Sequence, residues 1–253
     1  MLRHICFAFL ATFCVTADAD IIVTAIGDSI TVGYANDAGN GRPTRLQDSF
    51  DSIGATDFTV VPVAKGGINA EWYVKGGYLS QALASNPDIV VVNLGANDSA
   101  RWAGDPDSIG WFQENYNQIL DGLASLPEPP EVIISTVLPF APFDPIADPV
   151  RHTTSQAVIN EINPWLIQRA EETGAFLVDE YTAWLNKPYY STSFSDAVHV
   201  RPIYRDALAA DYRDAVLTVA ATAVPEPGSV LLLSTLGLVF ALKRTRQLST
   251  ISS

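Results

Sequence analysis

Cysteine is nearly missing from this 253-residue chain, and both copies, Cys6 and Cys14, fall within the first fifteen positions. The residues beyond them can form no disulfide and offer neither a thiol nucleophile nor a thiolate metal ligand. Histidine is almost as scarce, with His4, His152 and His199 alone. Neither these nor the scattered carboxylates show ligand spacing, such as two histidines on one helical face, so no metal or other cofactor is expected. Basic residues are few: 15 Lys and Arg stand against 28 Asp and Glu, a formal net charge of −13. Such a surface repels phosphate backbones and anionic membranes, which argues against a nucleic-acid partner. A phosphate-cradling glycine pattern is also missing, since Gly66-Gly67 is not followed by Lys-Ser or Lys-Thr. Residues 20–223 contain no internal repeat and no low-complexity stretch.

The two ends differ from the middle. Met1-Leu2-Arg3-His4 leads into an apolar run over residues 5–15 and then Ala17-Asp18-Ala19, a small-x-small cleavage site. A charged start, a short apolar stretch and that ending describe a secretory signal peptide over residues 1–19. At the other end, Val224-Pro225-Glu226-Pro227-Gly228 precedes an apolar run over residues 230–242, followed by Lys243, Arg244 and Arg246. At about 13 residues that run is short for a spanning helix, which needs about 20. The arrangement resembles a PEP-CTERM sorting tail. The resemblance implies export, an exosortase-type processing partner, and a cell-surface or extracellular-matrix location with a transient C-terminal anchor. A permanent anchor is the alternative.

Residues 20–223, about 200 positions, suit one domain with a generous core. Short apolar runs rich in Val and Ile recur at 21–26, 58–63, 89–94, 132–138 and 175–178. They do not alternate, as expected of strands covered on both faces. Helical spacing falls between them at 45–53, 111–126 and 155–172, and again at 203–219, where Leu208, Tyr212, Val216 and Val219 share one face. Strand alternating with helix predicts crossover units and a mostly parallel sheet, with ligands gathering at the carboxyl ends of the strands.

Three motifs sit where such a sheet would place a site. Gly27-Asp28-Ser29-Ile30-Thr31 follows the first apolar run, and Gly95-Ala96-Asn97-Asp98 follows the third. Asp196-Ala197-Val198-His199 lies near the end of the domain. A serine, a base and a group that orients the base are the minimum for nucleophilic acyl transfer, and a side-chain amide adds a donor for a developing oxyanion. Together these blocks resemble the SGNH hydrolases, also called the GDSL esterase and lipase family, over nearly the whole domain. That resemblance implies an α/β/α sandwich around a five-stranded parallel sheet, flavodoxin-like in topology. It implies Ser29 as nucleophile, His199 as base and Asp196 as its orienting carboxylate. It implies an oxyanion hole from the amide of Ser29, the side chain of Asn97 and a glycine amide of the second block. In that block this chain reads Ala64-Lys65-Gly66-Gly67-Ile68-Asn69, without the family's asparagine ahead of the glycine. Gly67 is the choice there and Gly66 the fallback.

Each residue also has a plainer reading. Asp28 reads as a turn-stabilising carboxylate, Asn97 and Asp98 as caps, and His152 as part of a proline-rich loop running from Pro139. The implied partner is an ester substrate. Trp72, Tyr73, Trp102 and Trp111 follow the site strands and offer faces for sugar rings, although core packing explains them equally well. The region opening with Gly41-Arg42-Pro43-Thr44-Arg45-Leu46 resembles the family's carbohydrate acetyl-esterases. Deacetylation of an extracellular polysaccharide is therefore favoured over a lipase, lysophospholipase or thioesterase acting on acyl chains. A surface protein that binds glycan without turnover is the non-enzymatic alternative.

Overall fold

The computed structural model describes residues 20–32, 41–102, 105 and 107–223; the expected signal peptide and sorting tail, and part of the connection after Ser29, lie outside the described residues. Five strands, β1 (Ile21–Gly27), β2 (Phe58–Ala64), β3 (Ile89–Asn93), β4 (Glu131–Ser135) and β5 (Phe176–Val178), form one parallel sheet in the order β2-β1-β3-β4-β5. Register decides what the sheet can do. Gly27, the last residue of β1, lies opposite both Ala64 of β2 and Asn93 of β3. The three chain segments that follow these strands therefore leave the sheet at one level.

Helices cover both faces, which is why β3 is buried along its whole length. Val90 and Val92 point to one face and join Ile26, Tyr73, Phe112, Tyr116 and Leu166 in a core beneath α3 (Ala70–Lys75), α4 (Tyr78–Ala84), α6 (Ser108–Ala124) and α8 (Asn163–Thr173). Ile89 and Val91 point the other way and pack with Leu46 and Phe50 of α2 (Arg42–Ser52) and Tyr212, Val216 and Val219 of α10 (Arg205–Ala223). The stripe expected on the last helix is thus the one that packs. A third cluster, Leu138, Trp184, Phe194, Val200 and Leu208, lies beneath the segment that holds Asp196 and His199.

Several boundaries differ from those read in the sequence. β4 ends at Ser135 rather than at Leu138, because the N–H and C=O of Val137 both bond the Asn163 side chain, at 2.8 and 3.0 Å. The helix expected from residue 155 begins earlier. In α7 (Pro149–Ala157) the Asp148 side chain accepts the Arg151 N–H and Pro149 fills the first helical position. The chain then passes through a π-helical turn, Val158–Ile162, into α8. Pro164 has no N–H to donate back, and a locally widened helix accommodates that gap. His152 is consequently an exposed residue of α7, not part of a loop. The short helices α3 and α4 carry too few turns for their spacing to stand out in the sequence.

Gly27 is fixed by close approach. A Cβ there would lie 2.0 Å from Thr31 Oγ1 and 3.1 Å from the Asn93 carbonyl oxygen, and Thr31 is a buried β-branched residue with little room to turn. Gly27→Ala should therefore lower stability by about 1–3 kcal/mol, seen as a reduced urea midpoint. A midpoint equal to that of the parent would show that Thr31 yields.

Candidate active site

Ser29 opens a single-turn helix, α1 (Ser29–Val32), directly past β1. Asp28 closes that turn: its Oδ1 accepts the Ile30 N–H at 2.8 Å and its carbonyl accepts the Val32 N–H at 2.9 Å. The segment with Asp196 and His199 arrives from the other end of the chain and is itself tightly tied. Phe194 and Val200 form an antiparallel bridge, the Ser195 N–H donates to the His199 carbonyl at 2.8 Å, and the Ala141 N–H donates to the Ala197 carbonyl at 2.9 Å.

These two segments meet. His199 Nε2 lies 2.9 Å from Ser29 Oγ, although the residues are 170 positions apart, and His199 Nδ1 lies 2.7 Å from Asp196 Oδ2. Asp196 is a carboxylate and can only accept here, so Nδ1 carries the ring proton and Nε2 accepts from the Ser29 hydroxyl. Burial pushes the Asp196 carboxyl up, but the N–H groups of Val198 and His199 and the imidazole outweigh it and hold the group below the usual carboxylate value. A hydroxyl, an imidazole and an ionised carboxylate in this order can take a proton from the serine and stabilise the resulting imidazolium.

Asn97 lies in the first turn of α5 (Ala96–Trp102) on the same edge of the sheet. Its Nδ2 donates to the Ile68 carbonyl at 2.9 Å and to Asp28 Oδ2 at 3.1 Å. Asn97 thus bridges the segments that follow β1 and β2. Asp98, at the next position, ties α5 to the segment after β2: both its oxygens accept the N–H of Ala70, the first residue of α3, at 3.1 and 3.3 Å. It thereby caps the neighbouring helix α3. In the second block, Gly67 has φ +75° and occupies the turn closed by the Ile68 N–H on the Lys65 carbonyl, a conformation that favours glycine. Gly66 is the member of the pair beside the nucleophile, since a Cβ on it would lie 3.8 Å from Ser29 Cβ.

Ser29, Asn97 and His199 line one cleft of about 310 Å³, whose walls include Ile30, Ala100, Phe140, Val150 and Val198 and, from the first turn of α7, Asp148 and Arg151. Among the described residues the aromatic side chain lining it is Phe140, itself largely buried, which the sequence reading did not single out. Tyr73 is core, fully buried with its hydroxyl on the Val63 carbonyl at 2.8 Å, so of its two readings core packing holds and the sugar platform does not. Trp72 and Trp111 are exposed but do not line the cleft; Trp111 lines a separate groove with Glu71, Lys75 and Arg101. The side chain of Trp102 lies outside the described residues. Among the described residues no group of three or more His, Cys, Asp or Glu side chains is arranged to hold a metal ion.

Beneath the site the sequence reading also missed a buried polar cluster. Glu180, at the start of α9 (Glu180–Leu185), accepts from Arg42 Nη1 at 3.2 Å, the Tyr212 hydroxyl at 3.1 Å and the Ser135 hydroxyl at 3.0 Å, all through Oε2. Arg42 and Tyr212 are also hydrogen-bonded to each other.

Comparison with known proteins agrees with this architecture. A model of the GDSL-like lipase/acylhydrolase family matches residues 25–204, and a PEP-CTERM protein-sorting motif matches residues 223–247. An uncharacterized protein of Mycoplasma pneumoniae is 30% identical over 117 residues, which are 45% of this chain but only 13% of that protein. Among solved structures, a lipase/acylhydrolase from Enterococcus faecalis superposes with a TM-score of 0.64 at 23% identity, over 78% of this chain and 95% of its own. An acetylxylan esterase from Geobacillus stearothermophilus gives 0.60 at 22% identity, over 77% and 93%. A psychrotrophic esterase from a Pseudoalteromonas species gives 0.58 at 18% identity, over 80% and 100%. At these identities the likeness establishes a shared fold.

Burial raises the Asp98 carboxyl from the usual 3.8 to about 7, against the pull of the Ala70 N–H and with reinforcement from the nearby Asp28 carboxylate. The folded state therefore holds the proton more tightly than the unfolded one. The associated stability is complete below pH 3.8 and is lost as pH rises through about 7. Asp98→Asn keeps an acceptor for Ala70 but cannot ionise. Between pH 5 and pH 8 the parent should lose stability relative to this variant, by on the order of 2 kcal/mol, in urea titrations. Parallel pH profiles would contradict the assignment.

Proposed function

Because the chain belongs to the GDSL-like lipase/acylhydrolase family, we propose that it is an exported serine esterase that removes acyl groups, chiefly acetyl, from extracellular polysaccharide. The observation that carries this reading is the hydrogen-bonded line Ser29–His199–Asp196 opening on an apolar-walled cleft. Residues 1–19 act as the signal peptide, residues 20–223 as the hydrolase domain, and residues 224–253 as the sorting tail processed by an exosortase-type enzyme.

Ser29 Oγ attacks the ester carbonyl carbon while its proton passes to His199 Nε2. Asp196 holds the ring in the required tautomer and stabilises its cationic form. The tetrahedral oxyanion is met by the Ser29 N–H, a backbone N–H of the Gly66–Gly67 turn (Gly67 in the sequence reading) and Asn97 Nδ2. For Asn97 this means redirecting the longer of its two present bonds, the one to Asp28. His199 then returns the proton to the departing alcohol oxygen, leaving the acyl group on Ser29. A water deprotonated by the same imidazole releases it as the carboxylic acid. No cofactor enters these steps.

The acetyl preference draws support from the modest cleft and from solved relatives of this fold described as acetylxylan esterases. It is tested with p-nitrophenyl esters of increasing chain length. Acetate should be hydrolysed fastest. Ser29→Ala should lower kcat by about 10⁴-fold or more, and Asn97→Ala by about 10²–10³-fold, with circular dichroism unchanged. A preference for long acyl chains, or a Ser29→Ala protein that turns over normally, would overturn the reading.

A further inference from the structure

We propose that the Asp148–Arg151 ion pair selects the alcohol half of the ester, binding neighbouring hydroxyls of an uncharged sugar ring. This rests on the esterase reading and adds a specificity element to the same cleft. Both residues line the cleft that holds Ser29, Asn97 and His199. The pair is built before any ligand arrives. Asp148 Oδ1 accepts the Arg151 N–H at 3.0 Å, Asp148 Oδ2 lies 3.1 Å from Arg151 Nε, and Arg151 Cζ stands 5.4 Å from the centre of the Phe143 ring.

Held by its Nε edge and one face, the guanidinium takes no hydrogen-bond partner on its terminal nitrogens among the described residues. Those nitrogens are donors, and the Asp148 oxygens beside them are acceptors with lone pairs to spare. Donors and acceptors side by side match the hydroxyls of a sugar. Because the side chains are already ordered, little rotamer entropy is lost when a ligand binds.

The chemistry of the rest of the cleft narrows the choice. An acetyl methyl needs only a small part of the apolar wall. A long acyl chain lying across the pair would strip water from a guanidinium and a carboxylate and replace none of its hydrogen bonds. A hydroxylated ring replaces them. The pair is also charge-neutral, so it does not call for an anionic sugar as an unpaired arginine would.

The test uses the full chain and its Arg151→Gln, Arg151→Lys and Asp148→Asn variants, the last retaining a helix-capping side chain. Steady-state kinetics are compared on acetylated xylo-oligosaccharide, acetylated oligogalacturonate and p-nitrophenyl acetate, whose leaving group has no sugar hydroxyls. Arg151→Gln should raise KM on the xylo-oligosaccharide more than it lowers kcat. The ratio of its kcat/KM to that on the aryl ester should fall about tenfold or more, the scale of one lost charged hydrogen bond. Arg151→Lys should recover part of that loss, and Asp148→Asn should share it. Equal losses on the xylo-oligosaccharide and the aryl ester, or none on either, would overturn the proposal, as would a loss confined to the oligogalacturonate. A parent protein that cleaves p-nitrophenyl acetate but no acetylated saccharide would overturn it while leaving the esterase reading intact. A parent inert toward every ester would remove both.

Discussion

The proposed chemistry hangs on one 2.9 Å contact, between Ser29 Oγ and His199 Nε2. The two residues come from opposite ends of the domain, and two separate constraints bring them together. The first is strand register, which sets the end of β1 level with the ends of β2 and β3. The second is the packing of Leu138, Trp184, Phe194, Val200 and Leu208, which seats the Asp196–His199 segment over the sheet edge. The bridge between Phe194 and Val200 closes that segment into a tight loop, so the imidazole is presented by a braced turn rather than by a long connection. The proposed proton transfer needs this bracing, because it tolerates little error in the donor–acceptor distance.

The same edge of the sheet collects charge that a core would normally exclude. Asp28 and Asp98 are both almost fully buried, and Asp28 is pushed up to about 6 by that burial, against the opposing influence of the Ile30 N–H, Arg42, His199 and Asn97. Glu180 and Arg42 form a buried ion pair close by, with Glu180 Oε1 and Arg42 Nε and Nη2 finding no hydrogen-bond partner among the described residues. Such groups lower stability relative to an apolar core. What they provide is fixed direction: Asp28 and Asp98 tie the segments after β1, β2 and β3 to one another through Asn97 and Ala70. Stability is spent where geometry matters, as expected of a site built from preorganised polar groups.

Much of this could be read from the residues in order. The non-alternating Val and Ile runs announced a sheet covered on both faces, and the motifs at 27–31, 95–98 and 196–199 marked the side chains that the fold brings to one cleft. What could not be read depends on contacts between distant positions. Arg42 and Glu180 are 138 residues apart, and neither carries a local mark of burial. The end of β4 is set by Asn163, a side chain from another element. The first turn of α7 looked like loop because of its prolines, yet a proline at the first helical position is compatible with a helix. That misplacement hid Asp148 and Arg151 from the sequence reading. The choice of glycine for the proposed oxyanion hole stayed open for a different reason: Gly67 satisfies the backbone demand of the turn, while Gly66 is the neighbour of Ser29.

Covalent labelling measures directly the proposed activation of Ser29 as a nucleophile by His199. The full chain is incubated with an alkyl fluorophosphonate, and the modified peptide is identified by mass spectrometry. One phosphonyl group per chain on Ser29, and a labelling rate that collapses in His199→Ala, is the predicted result. An unlabelled Ser29, label on another residue, or undiminished labelling without the imidazole would contradict it.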